Sequence, residues 1–248
     1  DHWRNWISST YYCTHSIAPV MYITDTRPVK VNGFVVPYDT DDPTQTRHAK
    51  RSDTCAIIIC RMDNEAVMKS LHGALRGHGN YVRIHGNKGL MENCRHGDKG
   101  RLRIWREPWE KETDQPTEEV YKPGFAVAAD LAAKTGHGGG DFFTSYHFAQ
   151  AIRTGEQPYL DVYRGIDMSV VGILAWQSAL NDSAPIKVPD FRDEQLRKQY
   201  ENDDWSPDPE RKGEGQPPSS VLGEIDPPTE AKDLAREIWS KQGYAVDI

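Results

Sequence analysis

The spacing of hydrophobic residues divides the chain into segments of different period. Residues 14–24 place apolar side chains three and four positions apart, which is typical of an amphipathic helix. Thr14 precedes the first apolar position and is the predicted N-cap. Pro19 falls early in this helix, where the loss of a backbone N–H costs least. A short helix is therefore expected near the start of the chain.

Between residues 27 and 107 the apolar positions alternate or form short β-branched runs, which predicts strands. Residues 27–36 alternate, whereas residues 54–62 form a continuous run typical of a central strand. Further strands, joined by short turns, are predicted at 66–75, 81–86, 89–93 and 101–107. Because short turns connect antiparallel neighbours, these segments predict a mostly antiparallel sheet.

Helical spacing returns in the second half of the chain. Residues 108–140 show no regular period, and residues 141–155 then place Phe142 and Tyr146 on one face of a helix. Asp141 is its predicted N-cap, and Gly155 suits its C-terminal end. A more apolar helix is predicted at 162–180.

The composition changes after Phe191. Many charges and prolines lie in residues 192–230, a composition that cannot fill a core. The sequence therefore predicts a folded domain over residues 1–191 and an extended, proline- and charge-rich C-terminal arm over residues 192–248, with a terminal helix at 229–243. The expected fold class is α+β, with an open, mostly antiparallel β-sheet and helices on one face.

Charge and cysteine content limit the possible partners. The net charge is -7 and the pI is about 5.7, which argues against nucleic acid as a partner. The longest apolar runs are too short to span a membrane. The four cysteines include no C-x-x-C pair, so we expect free thiols in a reducing, cytoplasmic compartment. An exported form remains open if a leader was removed ahead of Asp1.

The glycine-rich segment "GHGGGD" (136–141) opens a helix and could cradle a phosphate. It lacks the Lys-Ser/Thr of a Walker loop, and no apolar strand leads into it. Asp141 at the helix start would also occupy the positive end of the helix dipole. We therefore expect close backbone approach at the glycines, with His137 displayed at the rim.

Other catalytic patterns are weak in this chain. The nine histidines include no H-E-x-x-H spacing, so no metal site is predicted, although one assembled by folding remains open. The G-x-S-x-G pattern of a nucleophile elbow is absent. His15 is the best single candidate, because an imidazole can transfer protons near neutral pH, and Tyr12 could share its pocket. The structural alternative is a capped helix start in which both rings are buried.

Three segments together resemble a known enzyme family. They are "YYCTHSIAPV" (11–20), "RIHGNKGLME" (83–92) and the stretch from "GHGGGDFFTSYHF" to "APIKVPDF" (136–191). Over about residues 8–191 the chain resembles the C-terminal domain of the Gfo/Idh/MocA oxidoreductases. Within them it is most similar to the glycoside hydrolase family 109 branch, the NAD-dependent glycosidases.

The resemblance implies a two-domain enzyme. An N-terminal Rossmann domain binds NAD or NADP, and the second domain binds substrate and forms a homo-oligomer through its open sheet face. This sequence contains neither G-x-G-x-x-G nor the Glu-Lys-Pro motif that supplies a catalytic lysine. The expected partner is therefore a Rossmann domain of the same polypeptide, and no cofactor-binding residue is assigned in this chain.

The resemblance also implies roles for individual residues. Tyr12 and His15 match the catalytic positions of the branch pattern Tyr-Pro-Thr-His. The substrate-binding positions are Thr14, His78, His137, Asp141 and Tyr146. Cys13 replaces the proline of that pattern and Ala18 a following glycine, so a glycosidase and a simple dehydrogenase both stay open.

The predicted function is the substrate-binding half of an NAD(P)-dependent oxidoreductase or redox-assisted glycosidase or lyase that acts on a sugar or glycoside. In this reaction a hydride leaves the sugar, the resulting ketone acidifies the neighbouring C–H, and His15 acts as base or proton shuttle. The fragment alone is expected to be inactive. The alternative is a non-catalytic sugar-binding or oligomerisation module that lacks the redox domain.

Overall fold

The structure, a computed structural model, describes residues 3–39, 41, 49–73, 79–95, 100–211 and 213–244. Its helices are α1 (Thr14–Thr24), α2 (Ala129–Ala132), α3 (Gly140–Thr154), α4 (Val162–Leu180), α5 (Glu194–Lys198) and α6 (Thr229–Lys241). Its strands are β1 (Pro28–Val36), β2 (Cys55–Met62), β3 (Val67–Gly73), β4 (Arg83–Gly86), β5 (Gly89–Asn93), β6 (Leu102–Arg106), β7 (Glu118–Tyr121) and β8 (Ile186–Lys187). Short 3-10 turns occur at Trp3–Asn5 and His137–Gly139.

The predicted strands and long helices are confirmed, each with ends within two residues of the predicted ones. Three short elements were not predicted: β7 and α2, which lie in the segment expected to be irregular, and α5. The prediction of Thr14 as N-cap is wrong, because Thr14 is the first helical residue and Cys13 precedes it without a side-chain cap. Asp141 is likewise inside α3, with Gly139 at the cap position.

The chain forms two compact units, residues 1–78 with 165–248 (unit 1) and residues 79–164 (unit 2). The strands divide between two four-stranded antiparallel sheets, in the orders β3-β2-β1-β8 and β4-β5-β6-β7. The α+β class with open antiparallel sheets is thus confirmed, although one sheet was expected and two are present. The predicted division at residue 191 stays a prediction.

The sheet of unit 1 has one covered and one open face. Along β2, Ala56, Ile58, Cys60 and Met62 are buried, whereas Ile57 between them is exposed. The buried face belongs to a core that also includes Ile17 and Met21 of α1 and Val171, Ala175 and Trp176 of α4. The alternation, which is regular along β3 and is interrupted in β2 by the buried Cys55, indicates that the helices cover one side of the sheet.

Helix α4 lies against the sheet at backbone distance. Gly33 in β1 has no side chain, and a Cβ there would come within 1.9 Å of the Ala175 carbonyl oxygen. The Gly33 N–H donates to Ser178 Oγ at 3.0 Å. Glycine at this strand position therefore sets how closely the helix and the sheet approach.

A charged network crosses the sheet of unit 2. Glu92 on β5 is almost fully buried and accepts hydrogen bonds from the Tyr81 hydroxyl, from Arg83 Nε at 2.6 Å and from Arg103 Nη1 at 2.8 Å. These contacts, the Tyr81 bond foremost, lower the pKa of Glu92 to about 2. Because Arg83, Glu92 and Arg103 lie on neighbouring strands, the network joins β4, β5 and β6.

Candidate functional site

The segment that carries Tyr12 and His15 is fixed to helix α4. The Thr10 hydroxyl donates to the Gly172 carbonyl at 2.8 Å, and Cys13 Sγ lies 3.5 Å from the Met168 carbonyl, one turn earlier. Both Thr10 and Cys13 are fully buried. A Cβ at Gly172 would lie 2.7 Å from the Thr10 carbonyl oxygen, so the segment touches the helix backbone directly.

The Tyr12 and His15 rings stack on the surface of unit 1. Their centroids are 4.9 Å apart with 19° between the ring planes. Tyr12 is 50% exposed and His15 is also exposed. The structural alternative in which both rings are buried is therefore wrong. Burial of Thr10 and Cys13 turns Tyr12 outward, and the first turn of α1 places His15 beside it.

Two residues that sequence reasoning missed extend this stack. The Arg4 guanidinium carbon lies 5.7 Å from the Tyr12 ring centroid and 5.1 Å from that of Trp3. A guanidinium over aromatic faces is attracted by their π electrons and keeps its N–H donors in its own plane. The dense aromatic and basic composition of residues 3–15 was the available signal.

The neighbours of this pair differ in exposure. Thr14 is half-buried at the first position of α1. Tyr11 is directed inward, and its pKa is raised, first by burial and second by the Asp203 carboxylate. The segment thus alternates buried residues with displayed ones, and only the displayed ones could meet a substrate.

In unit 2, His137 and Asp141 form an exposed pair. His137 Nδ1 lies 2.8 Å from Asp141 Oδ1. The turn that permits this contact has left-handed backbone at His137 (φ 53), Gly138 (φ 64) and Gly139 (φ 104). If Nδ1 carries the proton, the bond to Asp141 leaves Nε2 as an acceptor.

The glycine-rich loop does not fit a dinucleotide phosphate. A Cβ at Gly136 would lie 2.4 Å from Asp141 Oδ2, so the glycine accommodates the carboxylate of its own loop. That carboxylate stands in the first turn of α3, where an anion would otherwise bind. The loop therefore holds a negative side chain in place of a bound phosphate.

Tyr146 belongs to an aromatic group on α3. Its ring stacks on Phe142, with centroids 5.7 Å apart, and meets Phe143 and His147 edge-on. No residue of α3 is fully buried. Tyr146 is half-buried, so part of its surface is available to a ligand.

The structure therefore brings Tyr12 together with His15 in unit 1, and His137 with Asp141 in unit 2, where Tyr146 also lies. His78 lies outside the described residues. Within the described ranges, no group of three or more His, Cys, Asp and Glu side chains could hold a metal ion. No helix of the described residues has the length and apolar character needed to cross a membrane.

Comparison with known proteins identifies the family. The model of "Glycosyl hydrolase 109, C-terminal domain" matches residues 23–198, which is most of the chain. The chain belongs to the glycosyl hydrolase 109 family. The matched span includes His137, Asp141 and Tyr146, whereas Tyr12, Thr14 and His15 lie before it.

Individual glycosyl hydrolase 109 relatives match parts of the chain. A family 109 protein of Stenotrophomonas maltophilia (strain K279a) is 31% identical over 109 residues, which cover 44% of this chain and 24% of that protein. An alpha-N-acetylgalactosaminidase of Shewanella oneidensis is 38% identical over 65 residues, or 26% of this chain and 14% of that protein. The chain thus matches less than half of these relatives' length.

A solved structure supports the fold of this family 109 chain. Levoglucosan dehydrogenase, in complex with NADH and L-sorbose, matches with a TM-score of 0.56 at 18% identity, over 71% of this chain and 48% of that one. At this identity the likeness concerns the fold. It agrees with the α+β fold class predicted from the sequence.

Proposed function

We propose that this chain is the substrate-binding half of an NAD(P)-dependent enzyme that acts on a sugar or glycoside. The exposed Tyr12–His15 stack is the observation that carries the proposal, because it presents a proton acceptor and a phenol on a fixed segment. Family membership supports the substrate class, as does the similarity to a protein named alpha-N-acetylgalactosaminidase.

The nicotinamide cofactor is assigned to a further domain of the same polypeptide. The similarity to a dehydrogenase that binds NADH supports this assignment. The glycine-rich loop of this chain is filled by Asp141, so it offers no phosphate site. When bound, NAD(P) supplies the removal and return of a hydride. The residues of this chain then have to bind the sugar and move protons.

His15 is the proposed base. Its imidazole would accept the proton of a sugar hydroxyl in a dehydrogenase, or the proton next to the ketone in a redox-assisted glycosidase. Tyr12 restricts the orientation of this ring by stacking on it, and its phenol can donate to or accept from the same substrate oxygen. Thr14, His78, His137, Asp141 and Tyr146 are proposed to bind substrate.

The open face of the unit 1 sheet is the proposed homo-oligomer interface. Phe34, Ile57 and Leu71 are paired across β1, β2 and β3 and are all exposed. A contiguous apolar row on a sheet face favours association with another protein surface. A second copy of the chain is the proposed occupant.

The test of His15 uses the polypeptide that includes the dinucleotide-binding domain. His15→Gln removes the base while keeping a hydrogen-bonding side chain of similar size, and we expect kcat to fall by about 10²–10⁴-fold with NAD affinity unchanged. His85→Gln, a surface change on β4, is the matched control. Unchanged turnover in His15→Gln would remove His15 from the mechanism.

The isolated chain separates the enzyme from the non-catalytic alternative. We expect it to bind sugar in calorimetry without converting it, because the hydride acceptor is held elsewhere. If the complete polypeptide also binds sugar but neither binds nicotinamide nor turns over, the chain is a binding module and the enzyme proposal is wrong.

A further inference from the structure

A short piece of the C-terminal arm, residues 218–221, is hydrogen-bonded to two other parts of unit 1. Trp176 Nε1 of α4 donates to the Pro218 carbonyl at 3.2 Å. Ser219 Oγ donates to the Arg51 carbonyl at 2.6 Å. Ser220 and Val221 both donate to the Asp53 carboxylate. This piece of the arm is therefore an integral part of the fold.

Asp53 is the centre of these contacts and is fully buried. One carboxylate oxygen accepts from Ser220 Oγ at 2.6 Å and from the Tyr38 N–H at 3.2 Å, and the other accepts from the Val221 N–H at 2.9 Å. Burial raises the pKa of Asp53, and these hydrogen bonds oppose the rise. Because a buried carboxylate is costly without such partners, removal of an arm donor destabilises this junction.

The junction continues toward the Tyr12–His15 stack through Arg51. The Arg51 N–H donates to the Asn5 carbonyl at 2.7 Å, and Asn5 is buried. The next residue toward the N-terminus is Arg4, whose guanidinium lies over the Tyr12 ring. The arm thus holds the Arg51 carbonyl while the Arg51 N–H holds the residue beside Arg4.

A second path runs through helix α4. Trp176, which bonds to the arm, lies about one turn beyond Gly172, the acceptor of the Thr10 hydroxyl. Asp203 of the arm is also near enough to Tyr11 to raise the pKa of that phenol. The segment that displays Tyr12 therefore lies against helix α4, to which the arm is bonded directly, and beside Arg4 and Asn5, which the arm reaches through Arg51.

We infer that arm residues 218–221 position the Tyr12–His15 segment, with Ser220 and Asp53 as positioning residues of the site. The role of the stack itself rests on the proposed function. The positioning of the segment by the arm is independent of the proposed function, because it can be measured as local stability in the absence of turnover. In this arrangement the arm is a required support of the site within its own chain.

The first test is amide hydrogen exchange on the 248-residue chain carrying Ser220→Ala. Ser220→Ala removes a hydroxyl that donates to the buried Asp53 carboxylate and accepts from the Leu222 N–H. We expect the Arg51 and Tyr11 amides to exchange about tenfold faster, while central amides of β2 change less. Ser206→Ala is the matched control, since Ser206 Oγ accepts only the local Asp208 N–H among its hydrogen bonds to described residues. Equal acceleration at all amides would show a purely global effect and would overturn the inference.

Ser219→Ala keeps the test decisive if Ser220→Ala fails to fold. Ser219 is half-buried, and its hydroxyl donates to the Arg51 carbonyl at the same junction. In Ser219→Ala we expect the Arg51 and Tyr11 amides to exchange faster than in the wild type, but by a smaller factor than in Ser220→Ala. In the complete polypeptide, we further expect kcat to fall by several-fold, up to about tenfold, with KM unchanged. Local exchange and kcat that both match the wild type in Ser219→Ala would contradict the positioning role.

Discussion

At the scale of single residues, His72 shows how burial changes a side chain's chemistry. It lies on the covered face of β3, and neither ring nitrogen has a hydrogen-bond partner among the described residues. Burial lowers its pKa from 6.5 to about 4. The folded chain therefore keeps this imidazole neutral over a pH range in which the unfolded chain protonates it.

This difference predicts acid sensitivity. As the pH falls from 6.5 toward about 4, the unfolded state binds a proton that the folded state does not, so the free energy of unfolding decreases. The contribution is at most about 3 kcal/mol and levels off below the folded-state pKa. Urea unfolding of His72→Leu, measured between about pH 7 and 4, should show a shallower pH dependence than the wild type.

The exposed His85 supplies the control for this measurement. His85→Gln should keep the wild-type pH dependence, because the His85 side chain is exposed on β4 and lies outside the core that surrounds His72. Parallel stability curves for His72→Leu and the wild type would show that another group causes the acid sensitivity.

The sequence pointed to Tyr12 and His15 as candidate site residues in unit 1, but it did not predict their environment. The pattern of residues 11–20 pointed to Tyr12 and His15, but a tyrosine next to an apolar helix could equally have been buried. The outward direction depends on Thr10 and Cys13, which bond to carbonyls of a helix more than 150 residues away. Local sequence carries no information about such distant partners.

At the scale of elements, helix α4 has glycines in two different environments. Gly172 faces the backbone of Thr10 and Tyr11, where a Cβ would come within 2.7 and 2.9 Å. At Gly165, earlier in the same helix, an added Cβ would meet no atom within 4 Å from the described residues outside its own stretch of helix. An alanine at either position would gain the same helix propensity, but only the alanine at position 172 would collide with another segment.

Alanine substitutions should therefore have opposite effects. Gly172→Ala is expected to reduce the free energy of unfolding by about 1–3 kcal/mol, because the methyl displaces the segment that carries Tyr12. Gly165→Ala is expected to increase it by up to about 1 kcal/mol through helix propensity. Urea titrations measure both. Stabilisation by Gly172→Ala would mean that the segment does not touch the helix as described.

Elements with a clear period or with strong turn signals at their ends were predictable, and β7 and α2 were not. Helix α4 and strand β5 begin and end where the pattern placed them, since their periodicity and flanking turns are strong. The four-residue β7 and α2 contain too few residues for a period to be detected. Pairing with β6 fixes β7 as a strand, and this is a tertiary effect.

At the scale of the whole molecule, the open face of the unit 1 sheet carries the proposal of self-association. Leu71→Lys places a charge in the exposed row that also contains Phe34 and Ile57. Sedimentation velocity should show a shift to smaller species, because an interface does not readily bury an unpaired charge. The Leu71→Lys substitution should leave the structure of helix α3 unchanged, because Leu71 belongs to unit 1 and α3 belongs to unit 2.

Ile152→Lys on α3 is the matched control, because Ile152 is also apolar and exposed. It should leave the sedimentation pattern unchanged. If both variants sediment like the wild type, the open sheet face is not the interface. If only Ile152→Lys dissociates the assembly, the interface includes α3.

The fold class was predictable because alternation and short turns specify antiparallel strands. The division into two sheets was not, since adjacent strands in the sequence look the same whether or not a break falls between them. The contacts of the arm were also hidden. Its charge and proline content suggested a peripheral segment, yet Ser220 supplies a donor to a carboxylate in the interior.

The glycines at the two backbone contacts of helix α4, Gly33 on β1 and Gly172 within the helix, also affect how the molecule can change over evolution. At Gly33 and Gly172, main chain meets main chain without an intervening side chain. The spacing between the sheet and the displayed rings is consequently fixed by peptide geometry and is independent of rotamers. Aliphatic residues elsewhere in the interior can therefore change in size while the surface that displays Tyr12 and His15 keeps its dimensions.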